Sequence, residues 1–247
     1  MILRIKCCRD LAFFLPRIHR HRRFDYHLTR RANLKDIIES IGVPHTEVGH
    51  IRINHSLPAG FDYIPKTAIQ LDVKAVKAPT DYTRPSLLRS ETLETLSFVA
   101  DVNVIKLGRL MILLGFDVCY SKGYSDRSIA DLAHREKRIV LTRDTALLKR
   151  NRIVFARRLR ANHPYDQLKE TVEFFNLKPR IRFFSRCTLC NAGLNRVDKD
   201  AILDRLEPKT KKYYHTFYQC PECTRVFWCG SHIEHMRSAF ERLGVLE

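Results

Sequence analysis

The sequence contains no apolar run of the length that a bilayer-spanning helix requires. Its opening residues, MILRIKCCRD, lack a long apolar segment followed by a small-residue cleavage site. These absences exclude a helical membrane protein and set a cytoplasmic expectation. Acidic side chains are scarce as well. Only 27 Asp and Glu stand against 44 Lys and Arg, a formal net charge of +17 over 247 residues. An excess of that size suits a polyanionic partner, with nucleic acid ahead of an anionic membrane. The expected partner is therefore RNA or DNA, and no membrane.

A disulfide framework is also missing. Four of the eight cysteines fall in two pairs, Cys187-x-x-Cys190 and Cys220-x-x-Cys223, while Cys7, Cys8, Cys119 and Cys229 make no second set. In a chain of cytosolic character such pairs read as metal ligands. Each turn presents two thiolates, and four close a tetrahedral shell, which is the pattern of structural zinc. A redox dithiol is the other use of such a pair. Four thiolates leave no vacancy for His232 or Cys229. The aromatic run Val226 to His232 offers a stacking face, or Phe227 and Trp228 build the small core of this unit. The second reading is the stronger.

Taken in order, the chain divides into four stretches. Residues 1–78 alternate as strands at Met1 to Cys7 and Phe24 to Leu28, with a basic loop carrying Arg17, Arg20, Arg22 and Arg23 between them. Asn33 is placed to cap a helix with apolar residues at Leu34, Ile37, Ile38 and Ile41, and Gly42 stops it. Strand patterns follow at Ile51 to Ile53 and Ala68 to Val73. This ββαββ order is that of a ubiquitin-like β-grasp. Residues 79–96, with Pro79 and Pro85, read as a linker.

Residues 97–182 alternate strand and helix, so a mostly parallel sheet is expected. Phe98-Val99-Ala100 ends in Asp101, and Ile139-Val140-Leu141-Thr142 leads to Asp144. Parallel strands that deliver carboxylates at their carboxyl ends build a metal site, because open α/β sheets bind ligands there. Asp126 opens a helix, where capping or dipole work is the simpler role. Lys106 and Arg109 share one side of the preceding helix. Arg157, Arg158 and Arg160 form a basic cluster, and a further helix runs from Asp166 to Phe175. Residues 183–247 hold the cysteine pairs.

The chain resembles a known family at several places. Residues 40–47, Ser-Ile-Gly-Val-Pro-His-Thr-Glu, look like the small ubiquitin-like domain that precedes Mut7-C nuclease domains. Phe98-Val99-Ala100-Asp101, Lys106-Leu107-Gly108-Arg109, Leu114-Gly115-Phe116-Asp117, Asp126, Leu141-Thr142-Arg143-Asp144 and both cysteine pairs resemble the Mut7-C RNase domain. The resemblance implies a PIN-like nuclease core followed by a zinc ribbon at 183–247. It further implies RNA cleavage, of tRNA or ribosome-associated RNA among other substrates. Asp101, Asp126 and Asp144 would hold Mg²⁺ or Mn²⁺, with Lys106 or Arg109 on the phosphate. PIN-like sites usually carry a fourth acid, for which Asp117 and Asp166 are the candidates. Two departures, Ile105 and Ile112, replace a glycine and an arginine usual in the family. A sulfur carrier of the β-grasp type would end in Gly-Gly. Here the corresponding segment is Lys74-Ala75-Val76-Lys77-Ala78-Pro79, so conjugation chemistry is not expected. A non-catalytic RNA- or ribosome-binding adaptor is the alternative.

Overall fold

The computed structural model describes residues 1–246. The first unit contains β1 (Ile2–Cys7), β2 (Phe24–His27), α1 (Leu34–Ser40), β3 (Val48–Ile53), β4 (Leu57–Pro58) and β5 (Gln70–Ala75). Its sheet runs β2-β1-β5-β3-β4, with β1 and β5 parallel in the centre and the other neighbours antiparallel. The alternation along β1 turns Leu3, Ile5 and Cys7 inward beneath α1. Asn33 caps α1 by accepting the Asp36 N–H at 2.9 Å. Part of the basic loop is structural: Arg23 pairs with Asp72 at 2.7 Å, and Arg20 donates to the Leu15 carbonyl at 3.0 Å.

The second unit contains β6 (Ser97–Ala100), α2 (Ile105–Leu113), β7 (Asp117–Tyr120), α3 (Asp126–Arg135), β8 (Ile139–Thr142), β9 (Ala156–Arg158) and α4 (Pro164–Phe174). The sheet is fully parallel, in the order β7-β6-β8-β9. It is buried on both faces, which is why β8 reads as an unbroken apolar run. Phe98 and Ala100 face α2 and α4, whereas Val99 and Val140 face α3. Gly108 lets α2 lie close on β6, since a Cβ there would meet the Ala100 Cβ at 3.1 Å. Gly115 turns the chain from α2 into β7 at φ 93°, a left-handed conformation that favours glycine.

The basic cluster at 157–160 is not a simple surface patch. Arg157 is an inner residue of β9 and only 8% exposed. It fastens the two units together. Its guanidinium bonds Glu47 at 3.0 Å and Glu170 at 3.2 Å and stacks 4.1 Å from the Phe174 ring centroid. Glu47 also accepts the Arg158 N–H at 2.7 Å. Beside it, His45 bonds the Ile153 carbonyl at 2.8 Å, and Arg89 donates to the Thr46 carbonyl at 2.7 Å. Pro44 to Glu47 is thus a docking segment between the units. The tail after β5 is equally engaged, because the Val76 N–H bonds the Glu47 carbonyl and the Thr80 N–H bonds the Phe174 carbonyl.

The remaining residues form β10 (Asn195–Val197), α5 (Pro208–Tyr213), β11 (Phe217–Gln219), β12 (Val226–Phe227) and α6 (Ser231–Arg242). The three strands make a small antiparallel sheet. Trp228 packs with Ile202, Leu206 and Phe217 in a core of its own, as the sequence suggested. Phe227 does not join it. It packs instead against the core of the parallel sheet, next to Phe184. Helix α6 also returns to that core, burying Phe240 completely.

Candidate active edge and metal centre

In the sheet, β6 connects to β7 on one side, and the chain then crosses to β8 on the other. The switch point lies at the carboxyl ends of β6 and β8, where a ligand crevice opens. Asp101 leaves β6 at that point and is 5% exposed. Its Oδ1 accepts the Val102 N–H at 2.6 Å, and its Oδ2 accepts the Thr142 hydroxyl at 2.6 Å and the Asn103 amide at 2.5 Å. Thr142 in turn accepts the Asp144 N–H at 2.9 Å. One buried hydroxyl therefore links Asp101 to the Asp144 turn. Asn103 completes the frame by accepting the Arg143 N–H at 3.1 Å.

Asp144 is half-buried, with Oδ1 accepting the Ala146 N–H at 2.7 Å. Asp126 is the first residue of α3, behind the cap Ser125, and its carboxylate meets Arg150 at 3.4 Å. The structure thus connects Asp101 with Asp144 and gives Asp126 an arginine partner. Among the described residues the three carboxylates do not gather to within 4.8 Å of one another. The donor set is nonetheless of the right kind for Mg²⁺ or Mn²⁺. It consists of carboxylate oxygens, and magnesium typically uses only one or two of them and keeps several waters.

Neither Asp117 nor Asp166 stands with them. Asp117 opens β7 opposite Ser97, at the amino edge, three residues and roughly 10 Å from the other end of the strand. It bonds Arg138 at 2.6 Å and Asn191 at 2.8 Å. Partial burial pushes its carboxyl up, but the bonds and charge from Arg138, with help from Asn191 and Arg186, bring it below the usual aspartate value. Asp166 lies on α4 beside Ala78, Lys169 and Glu173. Lys106 and Arg109 are exposed on α2 and line an open groove with Tyr120. The rest of the edge is basic. Burial, and the nearby charges of Arg143 and Arg160, hold Arg158 below its ordinary value.

Of the residues of this edge, Asn103 carries no signal in the sequence, and Thr142 only its place beside Asp144 in the family motif. A threonine closing an aliphatic strand reads as ordinary β-propensity. Its position between two aspartates in space follows only from the pairing of β6 with β8.

The second centre is the cysteine cluster. The ligand atoms of Cys187, Cys190, Cys220 and Cys223 all lie within 4.8 Å of one another, so the four can hold one metal ion. Two Sγ–Sγ separations are 3.6 and 3.3 Å, close to the roughly 3.8 Å edge of a tetrahedron with Zn–S bonds of about 2.3 Å. Both pairs fold alike. Cys187 N–H bonds Ala192 carbonyl and Asn191 N–H bonds Cys187 carbonyl; Cys220 N–H bonds Arg225 carbonyl and Thr224 N–H bonds Cys220 carbonyl. Asn191 and Thr224 both take positive φ, 65° and 59°. Burial raises the Cys220 thiol, but the N–H groups of Cys223 and Glu222 and the Cys190 side chain bring it down, whereas, against the N–H groups of Ala192 and Arg225, the neighbouring sulfurs push the Cys190 and Cys223 thiols up. A metal ion among the four sulfurs would favour the thiolate at each.

The chain matches the profile of the Mut7-C RNAse domain over residues 96–240 and that of the Mut7-C ubiquitin domain over residues 1–81. It belongs to the Mut7-C RNAse domain family. No curated protein and no solved structure matches it significantly. Among the described residues no helix is long and apolar enough to cross a membrane.

Proposed function

We propose that the protein is a metal-dependent ribonuclease that hydrolyses RNA phosphodiester bonds at the Asp101–Thr142–Asp144 edge. The observation that carries this reading is the buried Asp101 carboxylate, fixed by Thr142 and Asn103 at the switch point of a parallel sheet. A carboxylate is costly to bury; three hydrogen bonds offset that cost here, and Oδ1, with a single donor, keeps a lone pair for a cation. Mg²⁺ or Mn²⁺ supplies an activated water and cancels charge on the leaving oxygen. Asp101 and Asp144 would hold the ion, with Asp126 approaching from α3 once Arg150 yields. Thr142 and Asn103 keep Asp101 in one orientation. Arg143 and Arg158 provide positive charge for the flanking phosphates, and Lys106 or Arg109 steadies the strand.

The four thiolates fit zinc, whose role is to hold the small sheet in place, since Ile202, Leu206 and Phe217 make too small a core alone. Four thiolates shared by one metal suit the reducing cytoplasm. The ubiquitin-like unit acts as a docking module, because its tail is engaged against α4.

The test is cleavage of mixed RNA with Mg²⁺ or Mn²⁺. Degradation that EDTA abolishes and Asp101→Asn suppresses supports the proposal. The Asp126–Arg150 pair favours a second reading, an RNA-binding adaptor without catalysis. RNA binding with no cleavage under any divalent ion would bring that reading forward.

A further inference from the structure

Beside the active edge, on the β7 side, lies an open groove of about 800 Å³. Four separate regions build it: one face of α2 along its whole length, the end of β7, the start of α4, and the first cysteine turn with the start of α6. Tyr120 pairs with Ala100, the residue before Asp101, so the groove begins one strand away from the candidate catalytic carboxylate.

Three features of this groove point to the same ligand chemistry. Its charged side chains are Lys106 and Arg109, the imidazole rings of His163 and His232 add polar groups, and no carboxylate lines it. Helices α4 and α6 both begin at it, and neither has a side-chain cap. Their first-turn N–H groups and positive dipole ends therefore add to the cationic side chains. The surfaces between these charges are flat and apolar. Tyr120 lies under Arg109, with the guanidinium 5.7 Å from the ring centroid, and His163 stacks on Tyr165 at 5.7 Å. Leu189, in the middle of the cysteine turn, is 55% exposed.

A duplex presents phosphates but hides its base faces, so it would leave the aromatic and apolar surfaces unused. A single strand offers both phosphates and base faces. We infer that this groove binds single-stranded RNA next to the cleavage position, phosphates toward Lys106, Arg109 and the helix ends, and bases on Tyr120 and the His163–Tyr165 stack. The inference rests on the ribonuclease reading above. It also gives the cysteine cluster a role in recognition. Thr188 and Leu189 are the two residues between Cys187 and Cys190, so the first cysteine turn forms one wall of the groove.

The experiment measures binding of a fluorescent single-stranded RNA and of an RNA duplex to the full chain in EDTA-free buffer without divalent ions. Variants are Leu189→Glu and His232→Glu, with Leu87→Glu, another exposed leucine at 63%, as a matched control. Metal content and circular dichroism verify folding. The expected result is single-strand affinity about tenfold weaker in both groove variants and unchanged in the control. Duplex affinity should be lower throughout. Groove variants that bind like wild type, or a duplex bound as tightly as a single strand, would overturn the groove while leaving the ribonuclease reading intact. A wild-type chain that neither binds nor cleaves RNA would overturn both.

Discussion

At the scale of single residues, Thr142 concentrates the argument. Its hydroxyl donates to Asp101 and accepts from the Asp144 backbone, so valine in its place removes two bonds at once. Asp101 would keep its burial and lose a donor. Thr142→Val should lower RNA cleavage by about 10- to 100-fold, the usual effect of removing a partner that orients a metal ligand. It should also cost about 1–3 kcal/mol of stability. Single-turnover rates and thermal unfolding of the same preparation separate the two effects. Asp117 gives a contrasting case. Its carboxyl is depressed in the fold, so it contributes stability that is full above the ordinary value of 3.8 and is lost as pH falls below it. Thermal unfolding between pH 6 and pH 3 should show wild type losing its margin over Asp117→Asn at the acid end. A margin constant across that range would remove the ion pair from the account.

At the scale of elements, the docking segment Pro44 to Glu47 and the strand β9 explain each other. Arg157 can be buried because Glu47 arrives from the other unit, and Glu47 can be buried because Arg157 and the Arg158 N–H receive it. Burial pushes the Glu47 carboxyl above its usual range, while the Arg157 charge opposes that rise. Glu47→Ala leaves the guanidinium with Glu170 alone, and about 3 kcal/mol of stability should be lost in denaturant unfolding. Replacing Glu47 and Arg157 together by Gln and Met should cost less than the two separate changes added.

Elements legible in the sequence were those whose pattern is local. The alternation of β1, the Asn33 cap of α1, the aliphatic β8 and the paired cysteines all appear where expected. Strand β9 was read as a basic cluster because its burial depends on a partner 110 residues away. Helix α6 carries an apolar spacing, Ile233, Met236 and Phe240, that the nearby metal motif overshadowed. The position of Phe227 against the parallel-sheet core is likewise set by tertiary contact. Asp117 was a reasonable acidic candidate by sequence, yet its place at the start of β7 puts it at the wrong edge of the sheet.

At the scale of the whole molecule, the net charge of +17 makes a prediction independent of any one residue. Each Lys or Arg that meets a phosphate releases a counterion, so RNA affinity should fall steeply with salt. With 6 to 10 phosphate contacts the loss between 50 and 200 mM salt is about 10³- to 10⁵-fold, and a flat response would count against RNA as the partner. The measurement that tests the central claim most directly is the single-turnover rate of RNA cleavage across a Mn²⁺ series, for wild type and Asp144→Asn. If Asp101 and Asp144 hold the ion that activates water, the variant should cleave at least about 100-fold more slowly, and its Mn²⁺ dependence should move to higher concentration. Equal rates with an unchanged Mn²⁺ dependence would contradict the account.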